Sequence, residues 1–150
     1  MRFSIAATAA LFGAAIAAPA PQTNPDPRET ILLQKFEAVK SSDGPVTSIY
    51  FHIISHREVG VAAFVCKGED AEGLKPDTTI DCAKGPSEND AYRFRVKSVS
   101  DDVFTLTVFH QTAPAFGFWG DINVAGACSV ESGVSKCKND ETSGELHVYG

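Results

Sequence analysis

The segment AYRFRVKSVSDDVFTLTVFH, residues 91–110, is the clearest structural signal in the sequence. Each of its halves alternates apolar with polar residues, which is the period of a β-strand buried on one face and wet on the other. A polar run at Ser100 to Asp102 interrupts the alternation. The segment therefore predicts a β-hairpin that turns about Ser100–Asp102. The residues expected on its buried face are Tyr92, Phe94, Val96, Phe104, Leu106 and Val108.

Strand patterns recur on both sides of this hairpin. TSIYFHII (47–54) places Ile49, Phe51 and Ile53 on one face, and GVAAFVC (60–66), FGFWGDINV (116–124) and GELHVYG (144–150) are further candidates. ETILLQKFEAV (29–39) fits either an opening strand or one short helical segment. Short strands separated by Gly, Pro, Asp and Ser turns predict an all-β fold, either a compact antiparallel β-barrel or a barrel-like sandwich. We favour the barrel, because closure removes exposed sheet edges.

The N-terminus has the pattern of a secretory signal peptide over residues 1–18. Arg2 precedes an alanine-rich apolar run, and Ala15 and Ala17 fit the A-x-A cleavage pattern. A buried alanine-rich helix is the alternative. The run is too short to cross a bilayer, and no later run predicts a membrane anchor. We expect a secreted protein with a Pro-rich mobile arm at residues 19–29 and a single β-barrel domain at residues 30–150.

The charge balance excludes some classes of partner. The chain has 13 Lys and Arg residues against 19 Asp and Glu residues, for a net charge of −6. Nucleic acids and anionic membranes select basic surfaces, so neither is expected as a partner.

Four cysteines, Cys66, Cys82, Cys128 and Cys137, predict two disulfides in a short secreted chain, with three alternative pairings. Their spacing lacks the close pairs of a zinc site and the C-x-x-C of a redox motif. Local pairing, Cys66 with Cys82 and Cys128 with Cys137, is the simplest choice. GVAAFVC and TTIDC can run antiparallel, which would bring their cysteines within bonding distance. The loop Lys67–Asp81 would then be presented to solvent.

Four segments together resemble a known family. They are LLQKFEAVKSSDGPVTSIYFHI, FVCKG with TIDC, VKSVSDDVFTLTV, and GACSVESGVSKC. In this order they are similar to the fungal secreted β-barrel family of the Alternaria major allergen, which includes elicitors of the hypersensitive response. The resemblance implies an antiparallel barrel with two local disulfides, carried here by Cys66–Cys82 and Cys128–Cys137. The typical allergen also has an N-terminal cysteine that links two barrels. No cysteine precedes Cys66 here, so we expect a monomer.

No motif in the sequence indicates catalysis, a metal or a cofactor. His52 and His56 are four residues apart without a ligand motif, and His110 and His147 could each pair with a carboxylate. No serine lies in a G-x-S-x-G elbow, and no glycine-rich phosphate loop occurs. The adjacent acidic pairs Glu69–Asp70 and Asp101–Asp102 are typical of turns. We expect a protein that is not an enzyme and binds no cofactor or metal.

The candidate recognition surface combines two segments. Phe116, Phe118 and Trp119 crowd into HQTAPAFGFWG, where they either plug the barrel end or expose Trp119 to a partner. Glu69, Asp70 and Lys75 belong to the loop between the first two cysteines.

Two functions follow as hypotheses. The first is a secreted, non-enzymatic fungal effector or elicitor that triggers plant defence or hypersensitive cell death, with a plant apoplastic or cell-surface protein as its partner. The alternative is a β-barrel that binds a small apolar ligand, flavonoid- or lipid-like, with its cavity mouth near residues 116–119. A secreted hydrolase is a more distant alternative.

Overall fold

The computed structural model describes residues 28–41, 44–55, 63–83 and 91–149. The predicted signal peptide at residues 1–18 and most of the predicted arm lie outside these ranges. The described residues form strands and turns, with no helix. No helix among them therefore has the length and apolarity needed to cross a membrane. The strands are β1 (Arg28–Ser41), β2 (Val46–Ser55), β3 (Phe64–Glu69), β4 (Ile80–Asp81), β5 (Ala91–Ser100), β6 (Val103–Ala113), β7 (Phe116–Ala125), β8 (Ala127–Glu131) and β9 (Val134–Tyr149).

These strands form one nearly closed antiparallel barrel, as the alternating patterns predict. The strand order is β3-β2-β1-β9-β7-β6-β5-β4, and β8 pairs with the first half of β9. The two edge strands, β3 and β4, meet through the Cys66–Cys82 disulfide and one hydrogen bond from the Ala83 amide to the Val65 carbonyl. The antiparallel ladder expected between GVAAFVC and TTIDC is replaced by this contact, because β4 pairs with β5 instead.

Strand β1 resolves the ambiguous segment ETILLQKFEAV. A β-bulge lies between Gln34 and Glu37, where Lys35 adopts a φ of 53°. Ile31 and Leu33 point inward before the bulge, and Phe36 and Ala38 point inward after it. The extra residue shifts the phase of the strand, so the apolar spacing resembles that of a helix.

The start of β1 also corrects the boundary of the predicted arm. Arg28 and Glu29 were assigned to the mobile segment 19–29, but both belong to β1 and pair with β9. Glu29 is fully buried. The barrel therefore begins at least two residues earlier than the alternating pattern indicated, because its first buried side chain is charged rather than apolar.

The barrel interior is filled with side chains. All nine apolar residues predicted to face inward in the hairpin and in TSIYFHII are buried, which confirms these predictions. Aromatic rings pack against one another across the interior, with Phe36 and Phe104 5.1 Å apart and Phe51 and Phe94 4.9 Å apart between ring centroids. The predicted turn is also confirmed. Asp101 and Asp102 have φ values of 48° and 62°, as a tight two-residue hairpin turn requires.

Candidate functional site

Both disulfides have the predicted local pairing, and they brace different parts of the barrel. Cys66–Cys82 joins the two edge strands. Cys128–Cys137 links two residues that already face each other in the β8–β9 ladder. The first bridge therefore closes the barrel, whereas the second fastens a hairpin. All four cysteines of the sequence are used.

The loop between the first two cysteines packs against one end of the barrel. The amide of Asp70 donates to the Thr47 carbonyl, and the amide of Leu74 donates to the Val46 carbonyl. Gly73 has a φ of 105° and lies directly against Pro45. Of the predicted recognition residues, Glu69 and Lys75 are exposed and Asp70 is half-buried. The loop is a fixed surface element, since its backbone is anchored to β2 and its Leu74 side chain packs against the core.

The aromatic cluster of the β6–β7 turn is split between core and surface. Phe118 is only 2% exposed, whereas Phe116 is 42% exposed and Trp119 is 43% exposed. Phe118 is therefore a core residue, and its inclusion in the candidate recognition surface was wrong. The reason is strand alternation, which turns Phe118 inward and Trp119 outward along β7. Of the two alternatives for this cluster, the structure has Trp119 exposed rather than plugging the barrel end.

The two predicted recognition segments lie at opposite ends of the barrel. Residues 70–74 bond to the start of β2, at Val46 and Thr47. Trp119 pairs with His147, which pairs with Arg28 at the start of β1, the end at which β2 finishes. One compact partner surface would therefore cover either the loop or the aromatic turn, but not both.

A groove lies on the outer face of the barrel. It has a volume of about 480 Å³ and crosses the adjacent strands β5, β6, β7 and β9. We call it the outer groove, and its lining residues are Arg93, Arg95, Phe109, Trp119 and Tyr149. Three of them form one cross-strand row, because Arg93 pairs with Phe109 and Phe109 pairs with Trp119.

Most of this groove is not predicted by the sequence patterns. It contains Trp119 from the predicted surface, but the two arginines were noted only as the wet face of a strand. Phe109 was the available signal, because it is a large apolar residue at an outward position of an alternating strand.

The charges around the outer groove are arranged so that its arginines keep their positive charge exposed to a ligand. Asp121 accepts hydrogen bonds from Lys97 at 2.6 Å and from Thr107 at 2.7 Å. Burial raises the pKa of Asp121. These hydrogen bonds and the positive charges of Lys97 and Arg95 lower the pKa by a larger amount, so the net shift is downward. Both oxygens of this carboxylate thus accept hydrogen bonds from side chains other than Arg95.

The second polar feature is a buried cluster at the end of the barrel that contains Trp119. The Glu29 carboxylate lies at the centre, with Ser55 and Tyr92 hydroxyls donating to Oε1 at 2.7 and 2.6 Å. His110 Nδ1 lies 2.5 Å from Oε2. A carboxylate only accepts, so His110 must carry its proton on Nδ1. The His110 ring also stacks on Tyr92, 4.0 Å apart between centroids.

This cluster holds a charge in the core rather than presenting a reactive group. Burial raises the pKa of Glu29, but hydrogen bonds from His110, Tyr92 and Ser55 outweigh it and hold the pKa below its usual value. The Ser55 hydroxyl donates its hydrogen bond to Glu29. His110 was noted in the sequence as able to pair with a carboxylate, but its partner was not predicted.

The described residues offer little for a metal ion. One group of three potential ligands exists among them, formed by Asp102, Cys128 and Cys137. Both sulfurs are bonded to each other and cannot ligate. His52 lies beside the Tyr50 hydroxyl, 2.6 Å from Nε2, and His56 lies outside the described residues.

Comparison with known proteins places this barrel in a family. Residues 33–145 match the family model described as Alternaria alternata allergen 1. The chain belongs to this allergen 1 family. Among individual proteins, the effector protein PevD1 of Verticillium dahliae is 33% identical over 135 residues, which cover 80% of this chain and 76% of PevD1. The family resemblance inferred from the four segments is therefore confirmed.

Solved structures of the family show the same fold. Two crystal structures of the Alternaria alternata allergen Alt a 1 superpose with TM-scores of 0.59. One is 12% identical and covers 80% of this chain and 92% of the allergen, and the other is 15% identical and covers 88% and 95%. The barrel is thus preserved in the allergen 1 family at low sequence identity.

Proposed function

We propose that this protein is a secreted fungal effector that a plant host perceives through the outside of the folded barrel, without catalysis. The observation that carries the proposal is the 33% identity to a fungal protein named as an effector. That relationship and the two disulfides are consistent with an extracellular protein. The signal-peptide pattern at residues 1–18 supports the same destination.

The proposed mechanism is recognition of a rigid surface by a plant apoplastic or cell-surface protein, followed by defence or hypersensitive cell death. Two exposed regions suit such recognition. One is the anchored loop with Glu69, Asp70 and Lys75, and the other is the turn with Phe116 and Trp119. The protein acts as a monomer in this proposal, because both disulfides are internal and use every cysteine.

Leaf infiltration with purified protein tests the proposal. Disulfide-intact protein is expected to cause local cell death, and reduced, alkylated protein to cause none, since reduction opens the barrel at Cys66–Cys82. A Glu69→Ala/Lys75→Ala variant and a Phe116→Ala variant probe the two ends separately, and we expect only one of them to lose the response. Silence of the intact protein would overturn the effector proposal. Full activity of the alkylated chain would overturn recognition of a folded surface.

A small apolar ligand is the second candidate function, and one observation favours a revised form of it. The outer groove offers a site for such a ligand on the barrel surface, because Phe109, Trp119 and Tyr149 supply ring faces there. Trp119 is the single tryptophan, so its fluorescence reports the groove directly. Quenching by flavonoids or lipids would support this function. Unchanged emission and melting temperature across such a library would reject it.

A further inference from the structure

We propose that the outer groove binds an acidic oligosaccharide, a chain of sugar rings that carry carboxylates. This inference goes beyond the effector function and does not depend on any leaf response. Its starting point is the pair Arg93 and Arg95, adjacent on the outer face of β5. The Nε atoms of both are buried and have no hydrogen-bond partner among the described residues. Buried donors of this kind are rare in folded proteins and call for an acceptor.

The charges of these arginines are only partly balanced by neighbours, since Arg95 interacts electrostatically with the nearby Asp121 carboxylate. Within the part of the chain that the structure describes, neither guanidinium forms an ion pair, although seven other basic side chains do. Arg95 lies over the Phe109 ring, 5.7 Å from the centroid, which holds its guanidinium at the groove. These two guanidinium groups form a local positive patch that attracts an anion at short range, against the longer-range repulsion expected from the net charge of −6.

The geometry of the guanidinium group narrows the anion to a carboxylate or a group of similar shape. Each guanidinium offers a planar fork of donors that matches the two oxygens of a carboxylate. Arg93 and Arg95 are two residues apart on a strand, so their Cα atoms are about 7 Å apart. A ligand with several carboxylates in a row can engage both.

The aromatic side chains of the groove indicate what kind of molecule carries these carboxylates. Phe109 and Trp119 face each other across β6 and β7, and Tyr149 follows on β9, one strand further. The groove therefore extends over about 14 Å from β5 to β9. Sugar rings present flat C–H faces that pack on aromatic rings. An open, elongated floor of such rings suits a chain of sugars better than one compact apolar molecule.

The backbone of the groove argues against an acidic peptide as the occupant. Peptides commonly bind sheets by adding a strand to an unpaired edge. At Arg93, Phe109 and Trp119 the groove floor has no such edge, because Arg93 pairs with both Asp81 and Phe109, and Trp119 pairs with both Phe109 and His147. Recognition in the groove relies on side chains alone, which a carbohydrate can use fully.

Two carboxylates border the groove and reduce the attraction of its arginines for an anion. Asp81 faces Arg93 in the register of β4 and β5, and Asp121 lies near Arg95 but bonds to Lys97 and Thr107. The attraction of the arginines for an anion is therefore local and open to solvent. We expect the affinity to fall as salt rises, because exposed charges are screened over roughly 10 Å at 0.1 M salt.

The test uses the full folded chain and a short oligomer of α-1,4-linked galacturonic acid as the probe. Titration of the oligomer is expected to change Trp119 emission and to give a saturable heat in calorimetry. The matched control ligand is the fully methyl-esterified oligomer, which keeps the sugar rings and loses the charges. We expect the ester to bind at least tenfold more weakly than the acidic oligomer. We expect the same loss when the acidic oligomer is titrated into an Arg93→Gln/Arg95→Gln variant.

The control variant is Lys67→Gln/Lys138→Gln, which removes two exposed positive charges that are paired with Glu69 and Glu37 outside the groove. It is expected to bind as the unchanged protein does. Circular dichroism and melting temperature establish that all variants are folded. Four outcomes would overturn the inference. The oligomer does not bind, the acid and the ester bind equally, both variants lose the same affinity, or an acidic peptide of equal charge binds more tightly than the oligomer. If the protein kills leaf cells but does not bind the oligomer, only the inference about the groove is overturned. If it binds the oligomer but causes no leaf response, only the effector proposal is overturned.

Discussion

Glu29 and His110 are 81 residues apart in the sequence and are joined by a 2.5 Å contact between carboxylate and imidazole inside the barrel. Glu29 is 0% exposed and His110 is 6% exposed. Strand β1 enters the barrel at Glu29, and His110 lies on β6 on the opposite part of the strand order. This contact therefore ties the beginning of the folded chain to its centre, and it does so with a charge that can be titrated.

The Glu29 cluster makes the stability of the barrel depend on pH in the acidic range. Because the folded-state pKa of Glu29 lies below its unfolded value of about 4.3, the carboxylate stabilises the barrel fully above that value. This contribution is lost as the pH falls from there through the lower folded-state pKa. Replacement Glu29→Gln is expected to cost about 1–3 kcal/mol at pH 7 and to flatten this part of the profile. Urea unfolding between pH 3 and pH 7 measures both, and an unchanged acid profile in the variant would contradict the assignment.

The two disulfides should contribute unequally to stability. Replacing Cys66 and Cys82 by Ala opens the contact between the edge strands, and we expect a loss of about 3 kcal/mol. Replacing Cys128 and Cys137 leaves the β8–β9 ladder in place, so we expect a smaller loss. The bridges span 16 and 9 residues, and the shorter loop also has less entropy to restrict. Melting temperatures of the two double variants give the order, and the reverse order would show that the edge contact does not close the barrel.

Phe116 and Phe118 form a matched pair for testing the split aromatic cluster. Phe118→Ala removes a ring from the core and is expected to cost about 3–5 kcal/mol. Phe116→Ala removes a ring that is 42% exposed and should cost less than about 1 kcal/mol. Chemical denaturation of both variants measures the difference. Equal costs would mean that both rings plug the barrel end.

The hairpin turn provides a test of backbone conformation. Asp101 is exposed and has a φ of 48°, a region that β-branched residues avoid. Asp101→Val should therefore destabilise the protein by about 1–2 kcal/mol. Asp101→Asn should change stability by less than about 0.5 kcal/mol, because asparagine tolerates this conformation. Thr105→Val, on the outer face of β6, is the control for introducing valine nearby, and an equal cost there would exclude a turn effect.

The sequence predicts the barrel where one strand face is apolar without interruption. The β5–β6 hairpin and β2 have this property, and every residue expected to face the barrel interior from these strands is buried there. In β1, the bulge at Lys35 shifts the inward phase by one residue, so a period of two cannot describe the whole strand. The predicted end of the arm at residue 29 was wrong for a related reason, since β1 already begins at Arg28. A carboxylate next to prolines is typical of an exposed segment, and the donors that bury Glu29 come from β2, β5 and β6.

The outer groove could not be predicted because it depends on strand order. Its side chains come from four strands, and β9 reaches β7 only because the chain returns past β1 and β8. Alternation assigns Arg93, Arg95 and Phe109 to an outer face correctly, but it does not show which outer faces are neighbours. The disulfides were predictable because cysteine count and spacing carry that information within one stretch of chain.

The pairing of β1 with β9 has a consequence for how the protein is made. Arg28 pairs with His147, so the first strand of the barrel finds one of its two neighbours only after nearly the whole chain has been synthesised. Contacts of such long range make folding slow, and until they form both flanks of the growing sheet are open to aggregation. The sheet can therefore be completed only once β9 is available, and the Cys66–Cys82 disulfide joins the two edges that it leaves.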